Sequence, residues 1–106
     1  MRLNGPPTRL AKITGIHRWS EGAHFDHDDY GTAHATLTIE LLAPRGLLRL
    51  EADRTNGTTE PRPGEIVATS NADFASVAVA RAALASAGAA LAADIPRYTN
   101  IRPVLH

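Results

Sequence analysis

Cysteine is absent from the sequence, and aromatic residues make up only 5% of its 106 residues. Without cysteine the chain has no disulfide bonds, no thiolate metal ligands and no cysteine nucleophile. A net charge is absent as well, because 11 Lys and Arg residues balance 11 Asp and Glu residues. Proteins that attract nucleic acid or anionic membranes through their overall field carry a clear positive excess. Folding must therefore rely on packing, and an anionic partner would need a local patch.

Long runs of strongly apolar residues are also missing. Residues 1–7 have no apolar core and do not form a secretory signal. The most apolar stretch, 75–93, is largely alanine and includes Arg81, so it falls short of the ~20 strongly apolar residues of a membrane span. A chain of 106 residues supports one core. We predict a single cytoplasmic domain over 1–106, with flexible residues 1–8 and no membrane partner.

Apolar and polar residues alternate in several stretches, which predicts β-structure over 9–69. In the first strand, 9–19, this alternation places His17 on the less polar side, and Gly15 marks a bulge. A later strand is predicted over 65–69.

Residues 34–53 carry the clearest pattern, two alternating runs around Ala43-Pro44-Arg45-Gly46. Proline at the second position and glycine at the fourth are typical of a type I turn. We therefore predict a β-hairpin whose apolar face pairs residues across the turn. The pairs are Leu41 with Leu48, Ile39 with Leu50 and Leu37 with Ala52.

The C-terminal half predicts one long helix over 70–95. Ser70 and Asp73 have the spacing of a capping box, and 12 of the residues in 72–93 are alanine, the best helix former. Pro96 ends the helix, and residues 96–106 form an extended tail with a short strand. The predicted fold is α+β: a small curved, mostly antiparallel sheet of four or five strands with the helix packed on it. A partly open barrel is the alternative form of this sheet.

Residues 24–34 concentrate three of the five histidines and three of the six aspartates. Imidazole and carboxylate groups together suit Zn²⁺, Mn²⁺ or Fe²⁺. The candidate ligands are His24, Asp26, His27 and His34. Their spacing matches no known metal signature, so a solvated loop is the favoured interpretation, a metal site comes second and a proton-transfer or pH-sensing site third. A metal-dependent hydrolase is therefore an alternative function, and the expectation otherwise is that no cofactor is bound.

A small barrel could also bind single-stranded nucleic acid through arginine and aromatic side chains. The candidate residues are Lys12, Arg18, Trp19, Arg49 and Arg54. Acidic residues between 21 and 29 and on the same strands would repel phosphates. Nucleic-acid binding is for this reason a further alternative and not the favoured function.

Within the predicted helix, small residues recur every four positions, which permits close approach of a second helix or sheet. These candidate residues of an oligomer interface are Ala80, Leu84, Gly88 and Ala92. The sequence has no nucleophile elbow and no glycine-rich phosphate loop, and it designates no catalytic residue. We therefore predict a non-enzymatic binding or assembly protein that associates with itself and presents polar loops to a protein partner.

Overall fold

The computed structural model describes residues 10–55 and 60–106. A strand is followed by a helical segment, two strands, a long helix and a short strand. The bounds are β1 Ala11–Arg18, α1 His27–Asp29, a π-helical turn Tyr30–His34, α2 Ala35–Leu42, a 3₁₀ turn Ala43–Arg45, β2 Leu47–Arg54, β3 Ile66–Phe74, α3 Val77–Asp94, a 3₁₀ turn Ile95–Arg97 and β4 Val104–Leu105. From α1 to α2 the backbone stays helical, and this stretch is called helical segment 27–42.

The described strands form one antiparallel sheet of four strands in the order β2-β3-β1-β4. The two central strands pair from Ala11 opposite Phe74 to Arg18 opposite Ile66. Since β2 and β4 lie at opposite edges, the sheet is open and not a closed barrel. The order of strands and helices is that of a ferredoxin-like fold. The predicted α+β class, with an antiparallel sheet and a long C-terminal helix, is confirmed.

Both helical segments pack on one face of this sheet, and two buried clusters hold them there. The first cluster joins Phe74 and Ala72 of β3 to Leu42 and to the α3 residues Ala80, Ala83 and Ala87. The second joins Tyr30, Ala68 and Tyr98. Alanine on the facing side lets α3 lie close to the strands, although each buried methyl contributes only on the order of 0.8 kcal/mol.

The predicted hairpin over 34–53 is wrong, because its first half is helical segment 27–42. Leu37, Ile39 and Leu41 lie on α2 and pair with no strand. Proline and glycine end this helix instead of turning a hairpin: Pro44 opens the 3₁₀ turn, and Gly46 follows it with a left-handed φ of 100°. A β-hairpin does exist in the chain, but β2 and β3 form it.

The predicted start of the long helix is also wrong. Ser70 lies in the middle of β3, and the helix cap is Ser76, whose hydroxyl accepts a hydrogen bond from the Val79 backbone N–H at 3.1 Å. Strand β3 consists mostly of small residues because α3 packs directly on it, and this composition resembles that of a helix.

The remaining predicted elements have mixed outcomes. The first strand and the inward side of His17 are confirmed, but the register shift of β1 lies between His17 and Arg18 and not at Gly15. The tail ends in the short strand β4, although Tyr98, Thr99 and Ile101 before it are buried. The predicted flexible residues 1–8 lie outside the described residues, as do 56–59.

One helix in the described part of the chain, Val77–Arg97, is long and apolar enough by length and composition to cross a membrane. The core helix of a globular protein passes the same test. Alanine provides most of its apolar character, and three of these alanines pack on the sheet.

Gly46 allows a test of how closely α3 packs against the turn before β2. A Cβ at Gly46 would lie 2.6 Å from Val79 Cγ1, and its φ of 100° is disfavoured for other residues. We expect Gly46→Ala to lower the free energy of unfolding by about 2 kcal/mol or more. The matched control is Gly64→Ala, where φ is 88° but no atom lies within 4 Å, so that only about 1 kcal/mol should be lost. Chemical denaturation measures both values, and equal losses would contradict the packing of α3 against this turn.

Candidate functional site

A cavity of about 170 Å³ lies between the sheet and the helices. Most of its wall is aliphatic, and β1, β2, β3, helical segment 27–42 and α3 all contribute residues to it. This aliphatic part includes Ile13, Leu42, Leu50, Leu84, Leu91 and Ile95. For comparison, a cavity of about 150 Å³ lined by Leu, Ile and Phe is sufficient to bind benzene.

The polar part of the wall includes Thr38, Ser70 and four rings that contact one another, from His17, Tyr30, His34 and Tyr98. The ring centroids of His17 and Tyr30 are 5.3 Å apart, and those of His34 and Tyr98 are 4.5 Å apart. Tyr30 and His34 stack at 5.7 Å with only 14° between their planes. These four residues are called the ring cluster.

Local structure explains why these side chains point inward. Tyr30, His34, Thr38 and Leu42 are spaced by four residues, so they share one face of helical segment 27–42. The π-helical turn Tyr30–His34 contains the first two of them, and π-helical turns occur often at functional sites.

Strand β1 contributes His17 from the sheet side of the cavity. Residue 15 shares that side of the strand, and a Cβ there would lie 2.8 Å from Ser70 Oγ. Glycine at this position therefore permits the close approach of Ser70 to β1 next to the imidazole.

His17 is the most unusual polar residue of the site. Its side chain lies in the core with 3% of the residue exposed, and neither ring nitrogen has a hydrogen-bond partner among the described residues. Burial, followed by the nearby His34, lowers the pKa of His17 to about 4. The imidazole is therefore neutral at physiological pH and offers one N–H donor and one nitrogen acceptor to a bound molecule.

The two tyrosines are neutral hydrogen-bonding groups as well. Burial raises the pKa of Tyr30 and, more strongly, the pKa of Tyr98. The hydroxyl of Tyr30 is buried and makes no hydrogen bond of ordinary geometry, although Ser70 is near enough to lower its pKa slightly against the effect of burial. A ligand oxygen in the cavity could accept from this hydroxyl.

His34 contacts a chain of hydrogen-bonded side chains at the edge of the cavity. Its Nδ1 lies 2.7 Å from Asp94 Oδ2. Arg97 binds the same carboxylate through Nε at 2.7 Å and Nη2 at 2.9 Å, and it also pairs with Asp29. Hydrogen bonds from Arg97, above all, lower the pKa of Asp94 despite an opposing effect of burial, so this group is a carboxylate at neutral pH.

The four predicted metal ligands are not brought together. Among the described residues, no group of three or more His, Asp or Glu side chains could hold a metal ion. Asp26 caps α1 by accepting from the Asp29 backbone N–H at 3.0 Å, and His27 packs on the Phe25 ring at 4.6 Å. His24 is exposed and its backbone N–H donates to Asn100, while His34 points to Asp94. The metal-dependent hydrolase stays a prediction without structural support.

The predicted nucleic-acid residues do not form one patch. Lys12, Arg18 and Arg49 lie on the sheet face away from the helices, where Lys12 is 4.0 Å from Asp73 and Arg49 pairs with Glu51 at 2.9 Å. Arg54 lies opposite Ala68 and so points to the other side of the sheet. Trp19 follows β1 and is half-buried.

The four predicted residues of an oligomer interface differ in exposure: Ala80 is buried, Leu84 and Gly88 are half-buried, and Ala92 is exposed. Ala80 is part of the first buried cluster, while Leu84, Gly88 and Ala92 line the cavity. Packing within the chain accounts for Ala80, and the oligomer interface stays a prediction.

The fold is similar to the folds of two solved EthD or EthD-like proteins. The crystal structure of an EthD-like protein from Ralstonia eutropha JMP134 is similar, with 28% identity, a TM-score of 0.76, and coverage of 92% of this chain and 87% of that chain. An ethyl tert-butyl ether D (EthD) family protein from Bacillus halodurans C-125 has the same fold, with 15% identity, a TM-score of 0.60, and coverage of 91% and 97%. No protein-family model matches the chain, and no curated protein sequence matches it.

Burial of His17 predicts a specific pH dependence of stability. Its pKa falls from 6.5 to about 4 on folding, so the unfolded chain binds the proton more tightly between these values. The free energy of unfolding is therefore highest above pH 6.5, where the imidazole is neutral in both states, and it decreases as the pH falls toward 4. Relative to His17→Leu, which cannot titrate, the native protein should lose about 2–3 kcal/mol over this range. Urea denaturation at several pH values measures this difference, and parallel curves would contradict the buried neutral imidazole.

Proposed function

We propose that this protein binds a small, uncharged, largely apolar organic molecule in the cavity, with an oxygen atom of that molecule against His17 and Tyr30. One observation carries the proposal: His17 lines an apolar cavity, and neither of its buried ring nitrogens has a hydrogen-bond partner among the described residues. A buried polar group without a hydrogen bond costs about 1–3 kcal/mol, so a ligand that supplies the bond regains that energy.

The composition of the wall supports a neutral ligand. Among the described residues that line the cavity, none is Asp, Glu, Lys or Arg. A charged ligand would lose its hydration without gaining a countercharge, which is strongly unfavourable in an apolar site. A neutral molecule of about ten non-hydrogen atoms would bury its apolar surface and direct one acceptor to the donors at the ring cluster.

Two neutral probes fit this description. 2-Indanone is a compact apolar ketone. Ethyl tert-butyl ether, which appears in the family name of the Bacillus halodurans protein, is a branched molecule with one acceptor oxygen. We choose both because their size and polarity match the cavity of about 170 Å³.

Saturation-transfer NMR tests this proposal with charged analogues as comparison. We expect 2-indanone and ethyl tert-butyl ether to bind in the micromolar to millimolar range, as small ligands do. Indane-2-carboxylate and 2-aminoindane, which have the same ring system with a negative or a positive charge, should bind at least ten times more weakly. Equal binding of the charged analogues, or no binding of either neutral probe at millimolar concentration, would refute the proposal.

A pair of variants on α3 locates the binding within the molecule. Gly88 lines the cavity, and a Cβ at this position would meet no atom within 4 Å. A leucine at this position has space to enter the cavity, so Gly88→Leu should fold and lose binding of 2-indanone. Ala89→Leu, on the exposed side of the same helix, should bind as the native protein does. Loss of binding in both variants would place the ligand elsewhere.

Self-association is a second proposal, favoured by the sheet face away from the helices. No described helix covers this face, which carries Lys12 and Arg49 beside Glu51 and Asp73 together with half-exposed Val104. Charges of both signs on one face can pair with a second copy turned by a two-fold axis. The proposed partner is therefore a second copy of this chain.

Light scattering measures this association. We expect a dimer at a protein concentration of about 1 mM, and Val104→Glu should shift it to the monomer because a carboxylate would enter the interface. The control Ala89→Glu, on the exposed side of α3, should leave the dimer intact. A native protein that remains monomeric at that concentration would overturn the proposal.

A further inference from the structure

His34 is the residue of the ring cluster that is oriented by a charged neighbour. Its Nδ1 is 2.7 Å from Asp94 Oδ2, and both side chains are largely shielded, with 15% and 12% of their surface exposed. Arg97 binds Asp94 through two nitrogens at 2.7 and 2.9 Å and fixes the plane of the carboxylate. The carboxylate therefore has a defined position relative to the imidazole.

This geometry determines which nitrogen of His34 carries the hydrogen. Arg97 lowers the pKa of Asp94, so Asp94 is ionised and can only accept. Nδ1 must therefore donate, and in the neutral imidazole Nε2 holds the lone pair. Among the described residues no group donates a hydrogen bond to Nε2, and His34 forms part of the cavity wall. A carboxylate that fixes the tautomer in this way is the arrangement of a general base.

Two hydrogen-bonding groups lie next to His34 in the ring cluster. The Tyr30 ring stacks on His34 at 5.7 Å, and the His17 ring follows at 5.3 Å from Tyr30. The Tyr30 hydroxyl and a His17 nitrogen are both buried and without a partner. Donors that are already desolvated stabilise negative charge on a ligand oxygen more strongly than water does.

We propose that His34 Nε2 removes a proton from a carbon atom next to a carbonyl group in a small apolar substrate. In this step the C–H bond breaks and the proton moves to Nε2. The bonding electron pair forms a C=C bond, and the carbonyl π electrons move to the oxygen, which Tyr30 and His17 hold by hydrogen bonds. Return of the proton from Nε2 to carbon regenerates the imidazole and completes an exchange or an isomerisation. The inference rests on the proposed binding of neutral molecules in the cavity.

Deuterium incorporation into 2-indanone tests the step on a molecule whose binding is measured independently. In D₂O the native protein should speed the replacement of the protons next to the carbonyl, as followed by NMR. His34→Gln should reduce kcat by at least 100-fold, the usual contribution of a general base, while the Kd for 2-indanone changes less than about threefold. His106→Gln, at the exposed C-terminal residue, should keep the native rate.

Asp94 acts through His34 and is a positioning residue. Asp94→Asn should lower kcat by about tenfold or more with an unchanged KM, because an amide can donate to Nδ1 and reverse the tautomer. The ¹⁵N shifts of the His34 ring should report an unprotonated Nε2 in the native protein and a protonated Nε2 in the variant. Rescue of the rate in Asp94→Glu would support an orienting carboxylate over a purely structural one.

The outcomes separate this inference from the proposed function. If 2-indanone binds but its exchange is equally fast with native protein and His34→Gln, the proton-transfer inference is overturned and binding stands. If 2-indanone does not bind, both are overturned. A native ¹⁵N spectrum with protonated Nε2 would overturn the assigned base directly.

Discussion

Close packing of α3 on the central strands through small side chains is the constraint on which the rest of the structure depends. Ala80, Ala83 and Ala87 contact the sheet where β3 presents Ala72, so the helix lies near the strands without large side chains between them. Such contacts contribute little energy for each residue, and larger side chains must complete the core at its two ends. Phe74 and Leu42 do so at one end, and Tyr30 and Tyr98 do so at the other. The cavity is the space between these two clusters.

Polar residues border this cavity, although the interior of a stable domain is usually aliphatic. A domain selected for stability alone would place aliphatic side chains at positions 17, 30 and 34, since buried polar groups without partners lower stability. Here the His17 nitrogens and the Tyr30 hydroxyl have no hydrogen-bond partner among the described residues, and Gly88 leaves room in the cavity. Local departures from good packing that cluster around one cavity are characteristic of functional sites.

The polar residues at these inward-facing positions also limit which parts of the fold could be predicted from the sequence. The long alanine-rich helix, β1 and the antiparallel α+β class follow from propensity and alternation, which act locally. Helical segment 27–42 could not be found from apolar periodicity, because its inward face carries Tyr30, His34 and Thr38 where a core helix would carry aliphatic residues. Because the inward face is polar, Leu37 and Leu41 fitted the alternation of a strand. Pro44 and Gly46 are typical of a β-turn as well as of a helix end. A count of four-residue spacings that includes tyrosine and histidine would have revealed the helix.

The site was only partly accessible from the sequence for a related reason. The sequence made His34 a candidate ligand and placed His17 on the less polar side of its strand, but the residues around them are distant in the chain. Asp94 lies 60 positions after His34, and Tyr98 follows the helix end. The local cluster of histidine and aspartate residues suggested partners for His34 that are close in the sequence. In the fold their side chains have other contacts, and Asp26, for example, caps α1. Only the crossing of α3 over the sheet brings Asp94 to the first helical segment.

The chain of polar contacts from Asp29 through Arg97 and Asp94 to His34 connects this packing to the chemistry of the cavity. Arg97 is half-exposed, and ion pairs in contact with solvent add little to the stability of a fold. Its two-pronged contact with Asp94 therefore matters for geometry more than for energy, because it holds the carboxylate in the one plane from which it can accept from His34 Nδ1. By pairing with Asp29 as well, Arg97 ties the end of α3 to the start of the helix that carries His34. The two elements that form the walls of the cavity are thus joined at the residue that orients the imidazole, so a shift of either helix would alter the direction of Nε2.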